Sequence, residues 1–464
     1  MASLRFLGAT GTVTGSKYVF SHKNSDIMVD CGLFQGLKEL RLRNWTPLKM
    51  NINDLDAIVL THAHIDHTGY LPRLIKQGYN KPVYCTEPTR DLLEIMLLDS
   101  AHLQEEDAKY ANKKGTSKHS PAMPLYSTED ARKTIALLKG IPYDTPFRPT
   151  AEVLMTFQDA GHILGSAFVI GHWKEESGEE KKIVFSGDLG RFERPILKDP
   201  SPVLDADYLL VESTYGARLH EQGDPKEELQ RIINDTINRG GVVVIPAFAV
   251  GRTQELLYTI RELESEGRIP VLPVYVDSPM AIKATKLYSK HTEIYDEEAN
   301  ALKEQGKDVL LTQRTEFTQS VDASKRINAS DQPCIIISAS GMLTGGRILH
   351  HLMRRLPRPR NSVVFVGYQA VGTRGRALQN GNDKIKIHGQ QVKSAAAIET
   401  ISDFSAHADY NEILNWLGNF EKAPRKTFIV HGEPESSKNL KKLIDDKFGW
   451  FTHIPVYEEV VELN

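Results

Sequence analysis

Cysteine is scarce in this chain. Its 464 residues hold three, Cys31, Cys85 and Cys334, too few and too far apart for a disulfide framework or a C-x-x-C zinc site. Free thiols of this kind suit a reducing compartment. No stretch nears the ~20 consecutive apolar residues that span a bilayer. The N-terminus turns to Gly8 and Thr10 without the apolar core of a signal peptide. A soluble, cytoplasmic protein with no membrane partner is expected. An excess of either charge is also missing: 57 basic against 60 acidic residues leave −3, which argues against a nucleic-acid binder that is basic all over. With 40% apolar and 25% charged residues, a disordered or collagen-like chain is excluded. The length suits two or three domains.

What is present is a repeated pattern. Short β-branched apolar runs end abruptly in a side chain able to bind metal. Asp26–Val29 leads to Asp30, Asp56–Thr61 to His62, Lys182–Gly187 to Asp188, Tyr208–Val211 to Glu212, and Lys426–Val430 to His431. Runs of this length and composition read as buried strands, and a rigid sheet fixes the groups at its strand ends. Five such runs point to a shared rim. Between about 216 and 403 the texture changes to Gly241–Ile245, a helix Thr253–Glu266, Val271–Val276, a helix opened by Pro279, Cys334–Ser338, a helix Arg347–Leu356, and Ser362–Val366. Strands alternating with helices imply a parallel sheet flanked by helices, here a separate α/β domain inserted between two parts of the first. Lys109–Ser120 and Glu175–Glu180 are expected to be exposed loops.

The sharpest motif is His62-Ala-His64-Ile-Asp66-His67, four metal-competent side chains in six residues directly after a strand. Imidazole suits zinc, and a carboxylate completes or bridges a site. His62 and His64 alternate and so point the same way in an extended turn; Asp66 and His67 fall further round, which favours two adjacent metals. More ligands must come from other strand ends. Candidates are His162 in Gly161-His-Ile-Leu-Gly165, Asp188 in Ser186-Gly-Asp-Leu-Gly190, and His431 in Val430-His-Gly-Glu433. Taken alone, each also fits an ordinary turn.

The hexapeptide, a lone His and then S-G-D together resemble the metallo-β-lactamase superfamily. Later motifs resemble its β-CASP branch of nucleic-acid nucleases: Glu212 in Val211-Glu-Ser-Thr-Tyr-Gly216, His407 in Phe404-Ser-Ala-His-Ala-Asp409, and His431 match its three extra motifs. Pro246–Arg252, Asp277–Ala281, Ser338–Met342 and Gly367-Tyr368 extend the likeness over essentially the whole chain. Within the branch the chain looks like the endonuclease subunit of the pre-mRNA cleavage and polyadenylation machinery and its bacterial and archaeal homologues. The resemblance implies an αββα sandwich in two parts, 1–215 and 404–464, with a β-CASP α/β domain inserted over 216–403. It implies two zinc ions per chain: His62, His64 and His162 on one, Asp66, His67 and His431 on the other, Asp188 bridging, and Asp30 behind them orienting a ligand. A histidine at the position of His431 favours RNA over DNA.

The expected activity is zinc-dependent hydrolysis of phosphodiester bonds in single-stranded RNA, with endonuclease action favoured and a 5′–3′ exonuclease as the other mode. Asp66, His407 and Glu212 form the expected catalytic set, His407 being the general acid kept protonated by Glu212. A DNA nuclease of the same family and a small-molecule thioester or lactam hydrolase are the alternatives; the latter has no need of the insertion, Glu212 or His407. Every ligand position is filled, which makes a metal-free scaffold a poor reading. His350 and His351 read as surface or packing residues. The glycine-rich turn at Ser340 and Gly341 is expected either to present backbone N–H groups to a phosphate at a helix N-terminus or to be an ordinary helix-entry turn, with Arg374 and Arg376 as further expected substrate contacts. No separate RNA-binding module stands ahead of Leu4, so substrate grip is expected from the core domains or partners, and a homodimer is left open. The near-zero net charge conceals a local run: Arg347–Lys393 holds ten basic residues against Asp383 alone, so this +9 leaves −12 for the other 417 residues. The run is expected to face the metal cleft, and the competing reading is a solvated face.

Overall fold

Alternating apolar residues in short strands need a second apolar layer, and the first unit of the protein supplies it by packing sheet on sheet. In the computed structural model, which describes residues 2–117, 119–220, 223–367, 369, 372–401 and 404–464, this unit comprises 1–193, 199–219 and 407–464. One seven-stranded sheet runs Val460–Leu463, Ala2–Phe6, Tyr18–His22, Ser25–Val29, Leu55–Val59, Val83–Thr86, Leu138–Ile141. The other runs Thr452–His453, Lys426–Val430, Tyr208–Glu212, Glu180–Phe185, Ala167–Lys174, Val153–Asp159, Phe147–Thr150. In Ala2–Phe6 the residues Ala2, Leu4 and Phe6 are buried while Ser3 and Arg5 are not, the period-2 signature of a one-faced strand. Leu4, Phe20 and Val29 from the first sheet meet Met155, Phe157, Trp173, Phe185 and Phe428 from the second in one core. On the outer face of the second sheet, Ile413, Trp416 and Leu417 of helix Tyr410–Leu417 and Leu440 and Ile444 of helix Pro434–Phe448 pack on Phe168, Leu209 and Ile429. Helices Leu71–Lys76, Glu87–Lys114 and Thr128–Leu137 belong to the first sheet's connections. The result is the αββα sandwich of the metallo-β-lactamase fold.

The second unit comprises 194–198 and 220–406. Its sheet is six strands, all paired in parallel, in the order Thr315–Phe317, Val274–Val276, Ile335–Ser338, Val243–Pro246, Ser362–Val366, Ala397–Ile401. The central strand Val243–Pro246 is buried throughout, as helices on both faces require. Arg194–Lys198 joins this unit through a bridge between Leu197 and Tyr295 and a hydrogen bond from Asp296 N to the Ile196 carbonyl of 3.0 Å.

Two expectations from the sequence need correction. Lys109–Lys114 is helical, the last turns of Glu87–Lys114; the chain leaves the helix only at Gly115, in the left-handed region at φ 61°. Its run of charged and polar residues describes a solvated helix end, where Lys113 and Lys114 suit the negative pole of the helix. The strand expected from Val271 begins at Val274, because Pro270 and Pro273 withhold the N–H groups a ladder needs, and Val271 is exposed. Tyr368 and the boundary residue Asp403 lie outside the described residues. Among the described residues no helix is long and apolar enough to cross a membrane.

Candidate metal centre

The donors stand on loops that leave the two sheets. Asp30 follows strand Ser25–Val29 in the left-handed region, φ 59°, held there by its N–H on the Val59 carbonyl at 2.9 Å. Its buried carboxylate takes the Thr61 N–H at 2.8 Å on Oδ1 and the His67 Nδ1–H at 2.7 Å on Oδ2. That fixes the tautomer of His67 and leaves Nε2 as a donor. The turn Ile65–Thr68 that carries Asp66 and His67 is tied at three successive carbonyls: Leu33 N to Ile65, Ser16 N to Asp66, and Cys31 N to His67, at 3.0, 2.9 and 2.6 Å. Gly32 makes this approach feasible, for a Cβ there would lie 1.5 Å from the Asp66 carbonyl oxygen. The loops bearing His162 and Asp188 are similarly close, since a Cβ on Gly190 would lie 2.0 Å from the Gly161 oxygen.

Two sets of donors result. In the first, His62 Nε2 lies 3.0 Å from His64 Nδ1, and His162 Nε2 lies 3.4 Å from the same atom. In the second, His67 Nε2 lies 3.0 Å from His431 Nε2, which is 3.6 Å from Asp66 Oδ2. Asp188 serves both with separate oxygens. Its Oδ2 is 3.5 Å from His62 Nε2 and 3.7 Å from His162 Nε2, while its Oδ1 is 3.2 Å from His67 Nε2 and 3.4 Å from His431 Nδ1.

These residues fit divalent cations. Asp188 is buried, and its Oδ1 has no hydrogen-bond partner of good geometry, a costly state for a carboxylate unless a cation compensates it. Burial pushes His62 and His64 down, keeping the imidazoles neutral as ligands must be. Burial also opposes a charge on His67, yet the carboxylates of Asp188 and Asp30 override it and raise the ring well above its usual range. A proton there occupies the place between carboxylates that a cation would take. Burial of Asp66 favours its neutral acid, but the hydrogen bond and charge of His431 hold it down at about 2.

His407 completes the constellation. Its backbone bridges to Gly190, and the Ala408 N–H donates to the Leu189 carbonyl at 2.9 Å. The ring sets Nδ1 3.3 Å from Glu212 Oε1 and 3.9 Å from Asp188 Oδ2. Glu212 is fully buried and fixed by N–H donors from Leu189 at 2.6 Å and Thr214 at 3.2 Å. Burial works against a charge on His407, and the Glu212 carboxylate overrides it, raising the ring to about 9. The side chains of His407 and Asp66 remain 23% and 22% exposed, so both are reachable from solvent.

The structure thus brings together His62, His64, Asp66, His67, His162, Asp188, His431, Asp30, Glu212 and His407. Ser340, Gly341, Arg374 and Arg376 lie in the other unit. There the Ser340 hydroxyl accepts the Thr344 N–H at 3.0 Å, and Gly341 offers its carbonyl to Gln369 Nε2 at 3.1 Å. Arg374 donates to the carbonyls of Lys386 and Leu343 at 2.7 and 2.8 Å, while Arg376 is exposed. Sequence reasoning missed two hydroxyls. Thr61 Oγ1 bridges Asp30 and His62 Nδ1, both at 3.0 Å, and Thr214 Oγ1 sits 3.1 Å from His431 Nδ1. Thr61 directly precedes His62, and Thr214 follows Glu212 by two residues; that nearness in the chain was the available signal.

The αββα fold with this donor set defines a metal-dependent hydrolase. Residues 11–231 match the metallo-beta-lactamase superfamily, 253–378 the Beta-Casp domain, and 391–455 the Zn-dependent metallo-hydrolase RNA specificity domain. The chain belongs to the β-CASP branch of the metallo-β-lactamase superfamily and is a hydrolase of nuclease type. It is 38% identical to a protein named ribonuclease TTHA0252 of Thermus thermophilus, over 94% of both chains. It is 32% identical to the transcription termination factor FttA of Methanosarcina mazei, over 98% of this chain and 71% of that one. A protein of unknown function from Enterococcus faecalis shares the fold, with a TM-score of 0.55 at 12% identity over 99% of each chain.

Proposed function

We propose that the protein is a ribonuclease that hydrolyses phosphodiester bonds of single-stranded RNA at a dinuclear zinc centre, acting as an endonuclease. The observation that carries the two-metal reading is the division of Asp188, one oxygen toward each donor set. His62, His64 and His162 would hold one ion, Asp66, His67 and His431 the second, and Asp188 both. RNA as the substrate is supported by the name of the Thermus thermophilus relative and by a histidine at position 431.

Bound there, the ions would supply Lewis-acid activation of water and charge compensation at the phosphate. The chain's own residues do the rest. Asp30 and Thr61 keep His67 and His62 turned toward the centre. Asp66, open to solvent at the edge of the second set, is placed to orient the incoming water. His407 carries a proton at neutral pH and delivers it to the departing ribose oxygen. Glu212 holds the ring by Nδ1, which leaves Nε2 as the donating atom. The buried floor around Asp188 raises the strength of each of these interactions relative to water.

The test is metal analysis combined with digestion of one RNA labelled at its 5′ end, with and without a 5′ phosphate. Internal fragments from both substrates and two zinc ions per chain are expected. Mononucleotides released only from the 5′-phosphorylated RNA would replace the endonuclease by an exonuclease. A zinc-loaded protein that leaves RNA intact would overturn the function.

A further inference from the structure

The basic run 347–393 is sorted by the fold into two classes. Arg347 pairs with Asp277 at 2.7 Å, and Arg354, Arg358 and Arg360 converge on Asp331 at 3.0, 2.6 and 3.2 Å. Arg355 is buried on the carbonyls of Ile327 and Ser330 and the amide of Asn328, and Arg374 is held by backbone carbonyls. Six of the ten charges therefore have internal work. Arg376, Lys384, Lys386 and Lys393 do not: all are exposed, and among the described residues none has an ion pair or side-chain hydrogen bond.

These three lysines lie on one face of an antiparallel hairpin, Lys384–Ile387 with Gln390–Lys393. The other face, Ile385, Ile387 and Val392, is buried in the core of its unit. Because those apolar residues fix which face turns inward, register is not free to slip, and it sets Lys384 directly opposite Lys393 and Lys386 opposite Gln391. Like charges directly opposite are destabilising. The only carboxylate in the segment is Asp383, at the hairpin's base. Lys384 and Lys386 stand about 6.8 Å apart along the strand, comparable with the separation of successive phosphates in an extended single strand.

We propose that the outward face of this hairpin, with Lys384, Lys386, Lys393 and Gln391, is a docking surface for the phosphate backbone of single-stranded RNA. The choice of RNA rests on the function proposed above; a polyanion matches three exposed ammonium groups gathered on one face of the hairpin with no carboxylate among them. Contacts of this kind grip without reading sequence, and their strength falls with salt as counterions are released.

The test uses the full-length zinc-loaded protein and a fluorescein-labelled phosphorothioate oligouridylate, which resists hydrolysis, followed by anisotropy across a KCl series. Lys384→Glu turns a repulsive cross-strand pair into an attractive one, so its Tm should rise by about 1–3 °C while its affinity for the oligonucleotide falls several-fold. Lys386→Gln should weaken binding and flatten the salt slope by about 1. Opposite signs for stability and binding are the signature of charges kept for a ligand. Unchanged affinity and slope in both variants would overturn the proposal and point to an acidic protein partner instead. A lower Tm together with lower affinity in Lys384→Glu would mark structural damage and overturn it also. Cleavage is scored separately. A wild-type protein that binds through the hairpin yet leaves RNA uncut would defeat the ribonuclease reading alone, whereas intact cleavage with no response to the lysine variants would defeat only the docking surface.

Discussion

At the scale of single residues, the proposed mechanism divides the site into groups that would hold metal and groups that would move protons. His64 belongs to the first kind, since its Nδ1 is where His62 and His162 converge; His64→Ala should lose zinc and activity together, as metal analysis of the purified variant would report. His407, leaning on Glu212, would belong to the second. His407→Ala should keep its zinc and lose roughly 10²- to 10⁴-fold in cleavage rate; near-full rate would remove its role as acid. In the second unit, a buried histidine titrates differently on folding. Buried His351 donates Nε2–H to Asp277 Oδ2 at 2.7 Å, and Arg355 Nη1 faces its Nδ1 at 3.4 Å. Burial and the neighbouring Arg355 push the ring below its ordinary range, although Asp277 pulls the other way. The unfolded ring, with a pKa near 6.5, then binds protons more readily than the folded one, so this site's stability is lost as pH falls below about 6.5. His351→Gln can keep both hydrogen bonds without titrating. Its cost in urea unfolding should therefore be greater at pH 7.5 than at pH 5.5, and a cost independent of pH would show that His351 does not titrate differently on folding.

At the scale of elements, the site depends on how closely loops can pass. The turn Ile65–Thr68 is only four residues long and has no side-chain cap; the loop Cys31–Leu33 holds it in place through the Gly32 contact. Gly32→Ala would drive that loop off the Asp66 carbonyl. We expect a stability loss of about 1–3 kcal/mol, read by thermal unfolding, and zinc content falling below that of the wild type because Asp66 and His67 move together. The strands that end in donors were legible in the sequence, since a β-branched run broken by Asp or His announces both the strand and its polar end. The hydroxyls of Thr61 and Thr214 were not, because threonine is also an ordinary strand residue and its role depends on which ring the fold sets beside it. Lys109–Lys114 was misread for a related reason: polarity marks contact with solvent, which a helix end shares with a loop.

At the scale of the whole molecule, charge and topology could be judged only after folding. The +9 of residues 347–393 reads locally as one basic surface, yet Asp277 and Asp331, outside the run, engage four of its arginines; such partners are invisible to a local count. The donors likewise come from positions 62 to 431, so bound metal ties together segments that are near the two ends of the chain. A cation that binds the folded site and not the unfolded chain stabilises by about 4 kcal/mol when free metal is a thousand times its Kd. That stabilisation belongs to the unit containing residues 1–193, 199–219 and 407–464, because every donor of both sets lies there. Chelation followed by hydrogen exchange should therefore speed exchange around 62–67, 160–166, 186–190 and 430–432, and through the strands that lead into them. The parallel sheet of the second unit, closed by its own core of Val244, Ile336, Leu352 and Phe365, should keep its protection. Equal loosening of both units on chelation would mean that metal stabilises the chain by a route other than these donors.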